Sequence, residues 1–481
     1  MLNTIPMVMR TEWRLLAADK TPRVALLLLI SAVGYAAYTG REWRRFESRA
    51  VAAASAADVS DRRQLRSALD SFSRLPTPPA AFGDPRNANT AGTRSARPYA
   101  ILQPTGLVAA AIGQSDLLPS YYRVSMTSRE TFFVNDEIEN PVNLVAGRFD
   151  LAFVATVLIP LLVIALSYNI LSEDRESGAL AMLLAQPVSP RSVIAGKLLA
   201  RGVAMVALVA VLTLGGLLAA GATVIGPEWP RAALFVLVGV AYTLFWLALA
   251  VGVAVFNWTS ATNALALLAA WLVLVVLVPS LANFAVTTAY PMPSRIALIQ
   301  ATRDASNSAS AHGSQLLSMY YQDHPELMSA RLPGMDFGAR TIAVQEEVDR
   351  AVTPLMRAFD RQLALQQDAV DRWRYASPAL AVHEAFSDIA GTNVRRYRRF
   401  GQQVDAFVEQ LRAFFSPLVV HGVTFATAHL DAVPTFRFED ERIEAVSRRG
   451  VATLAYLVAV AMAIIAIAII PLRRPAALVA R

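Results

Sequence analysis

Six stretches of the chain are apolar and long enough to cross a bilayer: 24–39, 151–170, 193–220, 232–256, 261–278 and 451–470. The first is a little short of the ~20 residues a spanning helix usually needs. Pro160 falls inside the second as a tolerated kink. Gly215, Gly216 and Gly221 give the third a surface that a neighbouring helix can approach closely. The fifth is expected to break near Pro279. Ahead of the first run, Met7, Trp13, Leu16 and Ala17 alternate at helical spacing with Arg10, Glu12, Arg14, Asp19 and Lys20. That pattern predicts an in-plane interfacial helix. Basic residues before an apolar run also suit a cleaved signal peptide, but Gly34-Tyr35-Ala36-Ala37-Tyr38 is a poor cleavage site, so a retained anchor is expected.

Two long polar blocks interrupt the apolar runs. In the first, 41–75 is rich in Ala, Arg and Glu and reads as a helix continuing out of the first span. Loop chemistry follows at 76–97, dense in Pro, Gly and Asn. Tyr122, Val124 and Met126 alternate with polar residues, which predicts one short strand. In the second block, Ile342, Val348, Val352, Leu355, Phe359 and Leu363 keep one helical face, and Val394, Tyr397, Val404, Phe407 and Leu411 keep another. Two long helices facing each other as a hairpin satisfy both faces. Pro354, with Thr353 as an N-cap, is expected to split the first of them.

Composition agrees with the membrane reading. The 481 residues are 55% hydrophobic and 17% charged, against about 25% charged in ordinary globular chains. The net charge of +7 is scattered over several loops, which suits anionic lipid and not a nucleic-acid stripe. Cysteine is absent, which excludes disulfides and thiolate chemistry. Arg10, Arg14, Lys20 and Arg23, then Arg175, Arg191 and Lys197, then Arg473 and Arg474 flank alternate spans, so all three groups and both termini are expected in the cytoplasm. The resulting plan is an amphipathic helix at 1–22, a first span at 23–40 and a first periplasmic domain at 41–148. Spans two to five fill 149–290, a second periplasmic helical domain 291–449, and span six with a cytoplasmic tail 450–481.

The stretch between the second and third spans is the most distinctive. Glu173, Asp174, Arg175 and Glu176 stand in a row, Ser177 and Gly178 follow, a short apolar helix runs to Gln186, and Pro187 stops it before Arg191. Gly178 lets the backbone bend, and Pro187 cannot continue a helix. Glu176-Ser177-Gly178-Ala179-Leu180, Gln186-Pro187-Val188-Ser189-Pro190-Arg191 and Gly196-Lys197 together resemble the intracellular loop of ABC-2 type ABC-transporter permeases. Gly113-Gln114-Ser115-Asp116, Gly147-Arg148-Phe149-Asp150, Tyr375 to Leu380, Ala390-Gly391-Thr392 and Pro434 to Phe438 look like a bacterial subset of that family. That subset carries large periplasmic insertions after spans one and five, and the permease of the nitrous-oxide-reductase maturation system is a more distant relative. The resemblance implies a six-span α-helical bundle with two extracytoplasmic, mainly helical insertions, in the bacterial inner membrane. It also implies that 172–190 is a coupling helix on which a separate ATPase subunit docks, and that two permease subunits, alike or different, form the pathway.

Other chemistry is missing. No phosphate-binding Gly-x-x-x-x-Gly-Lys-[Ser/Thr] loop occurs, so the chain is expected to be no ATPase, with ATP and magnesium held by the partner and no cofactor of its own. His383-Glu384 begins like a zincin, but Ser387 stands where the second His belongs. His312, His324, His421 and His429 have no ligand spacing either, and no metal site is expected. The spans carry no charge in their middles, which argues against a proton-coupled carrier. Pro279, Ser280 and Asn283 are candidate outer-gate residues, with a polar helix end as the equal alternative. Two functions remain: an exporter-type permease, or a membrane-anchored scaffold that transmits force to a periplasmic partner while nothing crosses the bilayer.

Overall fold

The computed structural model describes residues 4–18, 20–74, 83–127, 129–130, 148–178, 190–291, 295–325 and 335–472. All six apolar runs are helices long and apolar enough to cross a membrane: α2 (Lys20–Phe72), α3 (Leu151–Glu176), α4 (Pro190–Ala219), α5 (Trp229–Ala254), α6 (Ser260–Ala289) and α13 (Ile443–Leu472). They are preceded by α1 (Thr4–Ala18), which packs along α4. The second polar block supplies α7 (Arg295–Ala311), α8 (Gly313–Asp323), α9 (Met335–Trp373), α10 (Pro378–Ala390), α11 (Val394–Val420) and α12 (Thr427–Ala432). The expected strand is the middle of a small antiparallel sheet: β2 (Tyr121–Val124) pairs β1 (Tyr99–Ile101) on one side and β3 (Arg129–Glu130) on the other.

α5 is the centre of the bundle. In its most apolar stretch 72% of positions are buried, against 6% in α6, which lies at the periphery. Phe235, Tyr242 and Trp246 are wholly enclosed, with α3, α4 and α13 around them. The two apolar runs that contain prolines are solved in the same way. A wide π turn at Val154–Leu158 precedes Pro160, and another at Leu272–Leu277 precedes Pro279. Proline offers no N–H to the preceding turn, and a π segment takes up the misfit. Neighbouring side chains then satisfy carbonyls of these turns: Tyr242 donates to Thr156, Trp271 to Val157, and Ser377 to Leu274. The fifth span therefore does not break at Pro279, as the sequence suggested; it continues to Ala289. Pro354 likewise lies inside an uninterrupted α9.

α2 joins the two ends of the molecule. Leu29, Ala36 and Ala37 belong to the bundle core, while Leu65 and Leu69, on the same helix, belong to a second core. That second core is aromatic: Phe400, Phe407 and Phe415 of α11 meet Phe425, Ala339 and Ile342 of α9, and Val124 of β2. The two polar blocks thus share one interior. Where the first block crosses α2, Gly40 meets the backbone of Ala109 so closely that no side chain fits.

One part of the second block leaves the others. α9 and α11 do face each other, but α10 lies between them in sequence and packs on α5, α13 and the wide turn of α6. Ser377 caps it and Pro378 opens it, as first-turn chemistry favours. Its face Ala379, Val382, Ala385, Phe386 and Ile389 is buried in the bundle core, and Phe386 stacks on Phe235 at 4.1 Å between ring centres.

Candidate functional site

Polar chemistry concentrates at two ends of the bundle. At the first, the turn Ser172–Glu176 closes α3, and Gly178 follows it in the left-handed conformation, φ +73°, with open space around its Cα. The charges of this turn are bound within the chain. Asp174 receives Lys197 at 2.5 Å, and Lys197 also pairs with Glu12 of α1 at 3.2 Å. Arg201 pairs with the same Glu12 and donates to the Leu166 carbonyl and to Asn169. Arg175 donates to Asn257 and to the Trp258 carbonyl. Glu176 accepts from the backbone N–H and hydroxyl of Ser260, so it caps the first turn of α6. Glu12 and Arg201 are buried. Their charges are taken out of water only because each meets the other.

Four segments, α1, the end of α3, α4 and the start of α6, are therefore tied at one face. Of the residues expected to meet an ATPase, Glu173, Glu176, Ser177 and Gly178 are exposed and Asp174 and Arg175 half-buried. Among the described residues, Glu173 takes one hydrogen bond, from Asn169 in its own turn. Pro187 lies outside the described residues, as does the side chain of Arg191; the latter's backbone is in α4. The sequence reading missed Glu12 and Arg201. Their signal was a carboxylate on an otherwise basic amphipathic helix and an arginine inside an apolar run.

The second site is at the opposite end, where α3 begins and α6 ends. A cavity of about 410 Å³ opens there between α10, α9, the end of α6 and the loop 113–117. Asp150 caps α3, accepting from the Phe153 N–H at 2.7 Å and the Ile112 N–H at 2.8 Å. Arg148 pairs with Asp116 at 3.0 Å and lies over the Trp43 ring. His383 and Glu384 of α10 face the same space, as do Gln114 and Asn283. No group of three or more His, Asp or Glu side chains that could hold a metal ion occurs among the described residues. Of the three candidate gate residues, Asn283 lines the cavity, while Ser280 is exposed and Pro279 half-buried elsewhere on α6.

Burial, with Asp388 and Asp371 close by, pushes the Glu384 carboxyl up to about 7, against the pull of Arg374. Burial also raises Asp150, opposed by its two backbone donors, and lowers His383, opposed by Asp150. Behind Glu384 the charges are neutralised: Asp388 meets Arg449 at 3.1 Å and Arg374 at 3.7 Å, and Arg395 pairs with Asp371. Residues of three short motifs scattered along the sequence, Gly113, Gln114 and Asp116, then Arg148 and Asp150, then Thr392, converge on this one space.

Residues 295–439 match a family described as a domain of unknown function (DUF3526). The match covers α7 to α12, and with them His383, Glu384 and Asn393 of the cavity; five of the six membrane-length helices lie before it and the sixth after it. No curated protein matches the chain.

Proposed function

We propose that this chain is the membrane-spanning permease subunit of an ABC-2 type ABC transporter, powered by a separate ATPase subunit that docks on the face formed by α1, the end of α3 and the start of α6. The observation that carries the reading is the set of ties at Asp174, Arg175 and Glu176, which reach Lys197, Asn257 and Ser260 respectively. A push on that turn moves three other segments at once, which is what coupling to an external motor requires. On this reading the face is cytoplasmic, the cavity end is periplasmic, and two copies or two related chains complete the pathway in a bacterial inner membrane.

Glu173 and Gly178 test it. The chain is co-expressed with an ABC ATPase subunit from the same genome, and both are purified through a tag on the permease. Wild type is expected to retain the ATPase, and Glu173→Lys to lose it while keeping its own expression and melting temperature. Retention by both Glu173→Lys and Gly178→Val would remove the assignment.

A second reading draws on α2, one unbroken helix of 53 residues whose two halves sit in the two cores. Rocking of the bundle would tilt the outer block directly, so the subunit would transmit force to a partner outside. ATP hydrolysis that releases such a partner without moving solute into vesicles distinguishes this form from an exporter.

A further inference from the structure

The cavity at the outer end has the composition of a binding site, and its charge states what it binds. Its lining holds three carboxylates, Asp116, Asp150 and Glu384, against one guanidinium, Arg148. That guanidinium is already matched by Asp116 and stacked on Trp43. Asp150 is 5% exposed and uses one acceptor site on each oxygen for backbone donors, leaving the others open. Glu384 and His383 make no hydrogen bond or ion pair with another described residue, although their neighbours Asp388 and Asn393 are fully engaged. Glu384 is half-buried and His383 exposed on the cavity wall, and a partly desolvated carboxylate without a donor favours a positively charged ligand. Gln114 and Asn283 add amide oxygens, while Val286, Leu363 and Val370 form an apolar wall. About 410 Å³ is within the range of pockets that hold small organic ligands.

We propose that this cavity binds an organic cation: an ammonium-bearing molecule whose charge lies between Glu384 and Asp150 and whose apolar part rests on α6 and α9. An inorganic divalent ion fits less well, because no three His, Asp or Glu side chains come close together among the described residues and the wall beside the carboxylates is aliphatic. The inference concerns this chain alone and does not rest on ATPase docking.

The test uses the full-length chain in lipid nanodiscs without any ATPase, titrated calorimetrically with phenethylammonium, 2-phenylethanol and 3-phenylpropanoate. These share a ring and differ in charge. Phenethylammonium is expected to bind saturably at one site per chain, at least tenfold more tightly than the other two. Glu384→Gln should weaken it at least tenfold and leave 2-phenylethanol unchanged. The substitution breaks no hydrogen bond to a described residue, so folding is expected to survive. If that variant misfolds, the charge preference of the wild type decides by itself. Equal or tighter binding of the carboxylate, no saturation by the ammonium to about 10 mM, or displacement of it by millimolar calcium would each overturn the proposal.

Discussion

The two polar ends of the bundle use the same residue types to opposite effect. At the 172–178 face every charge that leaves water finds a partner inside the chain: Glu12 with Lys197 and Arg201, Asp174 with Lys197, Arg175 with Asn257. At the cavity end, Asp116 and Arg148 match each other, but Glu384 and His383 line the cavity without a hydrogen-bonding partner among the described residues. A paired network resists displacement and so transmits it. An unpaired carboxylate in a cavity waits for a ligand. The first end is built as a clamp and the second as a receptacle.

The largest expected effect removes the floor of the receptacle. Phe386 is fully buried and stacked on Phe235, so Phe386→Ala should cost about 3–5 kcal/mol. Thermal melting in detergent measures it. Loss of ammonium binding with the ATPase still retained would show that the two ends are separable; loss of both would show that α10 holds the whole bundle.

A smaller loss should follow from opening the clamp. In Glu12→Ala, Lys197 keeps Asp174 and Arg201 keeps Asn169. The deletion therefore strands less charge than a lone buried pair would, and about 1–3 kcal/mol is expected. Proteolysis should then cut ahead of α2 first. If α1 stays protected and the melting temperature is unchanged, the clamp is ornamental.

Glu176 and Glu173, three residues apart, separate clamp from docking surface. Glu176→Lys removes the cap on α6 as well as reversing a surface charge, so both melting temperature and ATPase retention should fall. Glu173→Lys should lower retention alone. Gly178→Val forces a β-branched residue to φ +73°, a strain of about 1–2 kcal/mol that would be relieved by moving the segment after it.

Much of this was legible in the sequence, and what was not has a physical cause. Apolar length identified the six helices, and the continuous Ala, Arg and Glu pattern after Thr39 identified the long α2. The proline positions misled at Pro279, because periodicity carries no signal for a π turn that absorbs the missing donor, and at Pro354, which an unbroken α-helix accommodates. The segment 381–389 reads, with the rest of 291–449, as part of the second outer domain. Its consignment to the bundle depends on Phe235 and Leu274, which are more than 100 residues away. The clamp was half visible: the charged row at 173–176 stood out, but nothing local tells that Glu12 and Ser260 meet it. The cavity was visible only as separate short motifs, since convergence is a property of the fold.

The smallest effect concerns protons. Glu384 lies near 7 in the empty cavity, and an ammonium ion binds its ionised form. The sign follows: affinity should rise as pH passes from 6 to 8 and level off above that. The ratio of ionised fractions for such a group limits the change to about tenfold. Every other titratable group facing the site reinforces this trend or leaves it alone. Asp116 is held by Arg148, and His383 is held neutral by its surroundings, so protonating it at low pH would only repel the ligand further. Asp150, raised by burial, would reinforce the rise, while Asp371, Asp388, Arg374 and Arg395 pair among themselves. Phenethylammonium stays charged across the range, as alkylammonium groups near 10 do. Calorimetry at pH 6, 7 and 8 should therefore show the rise in wild type and a flat, weaker profile in Glu384→Gln. Affinity that falls with pH would mean that the cavity prefers a protonated Glu384, and that its ligand is a hydrogen-bond acceptor instead of a cation.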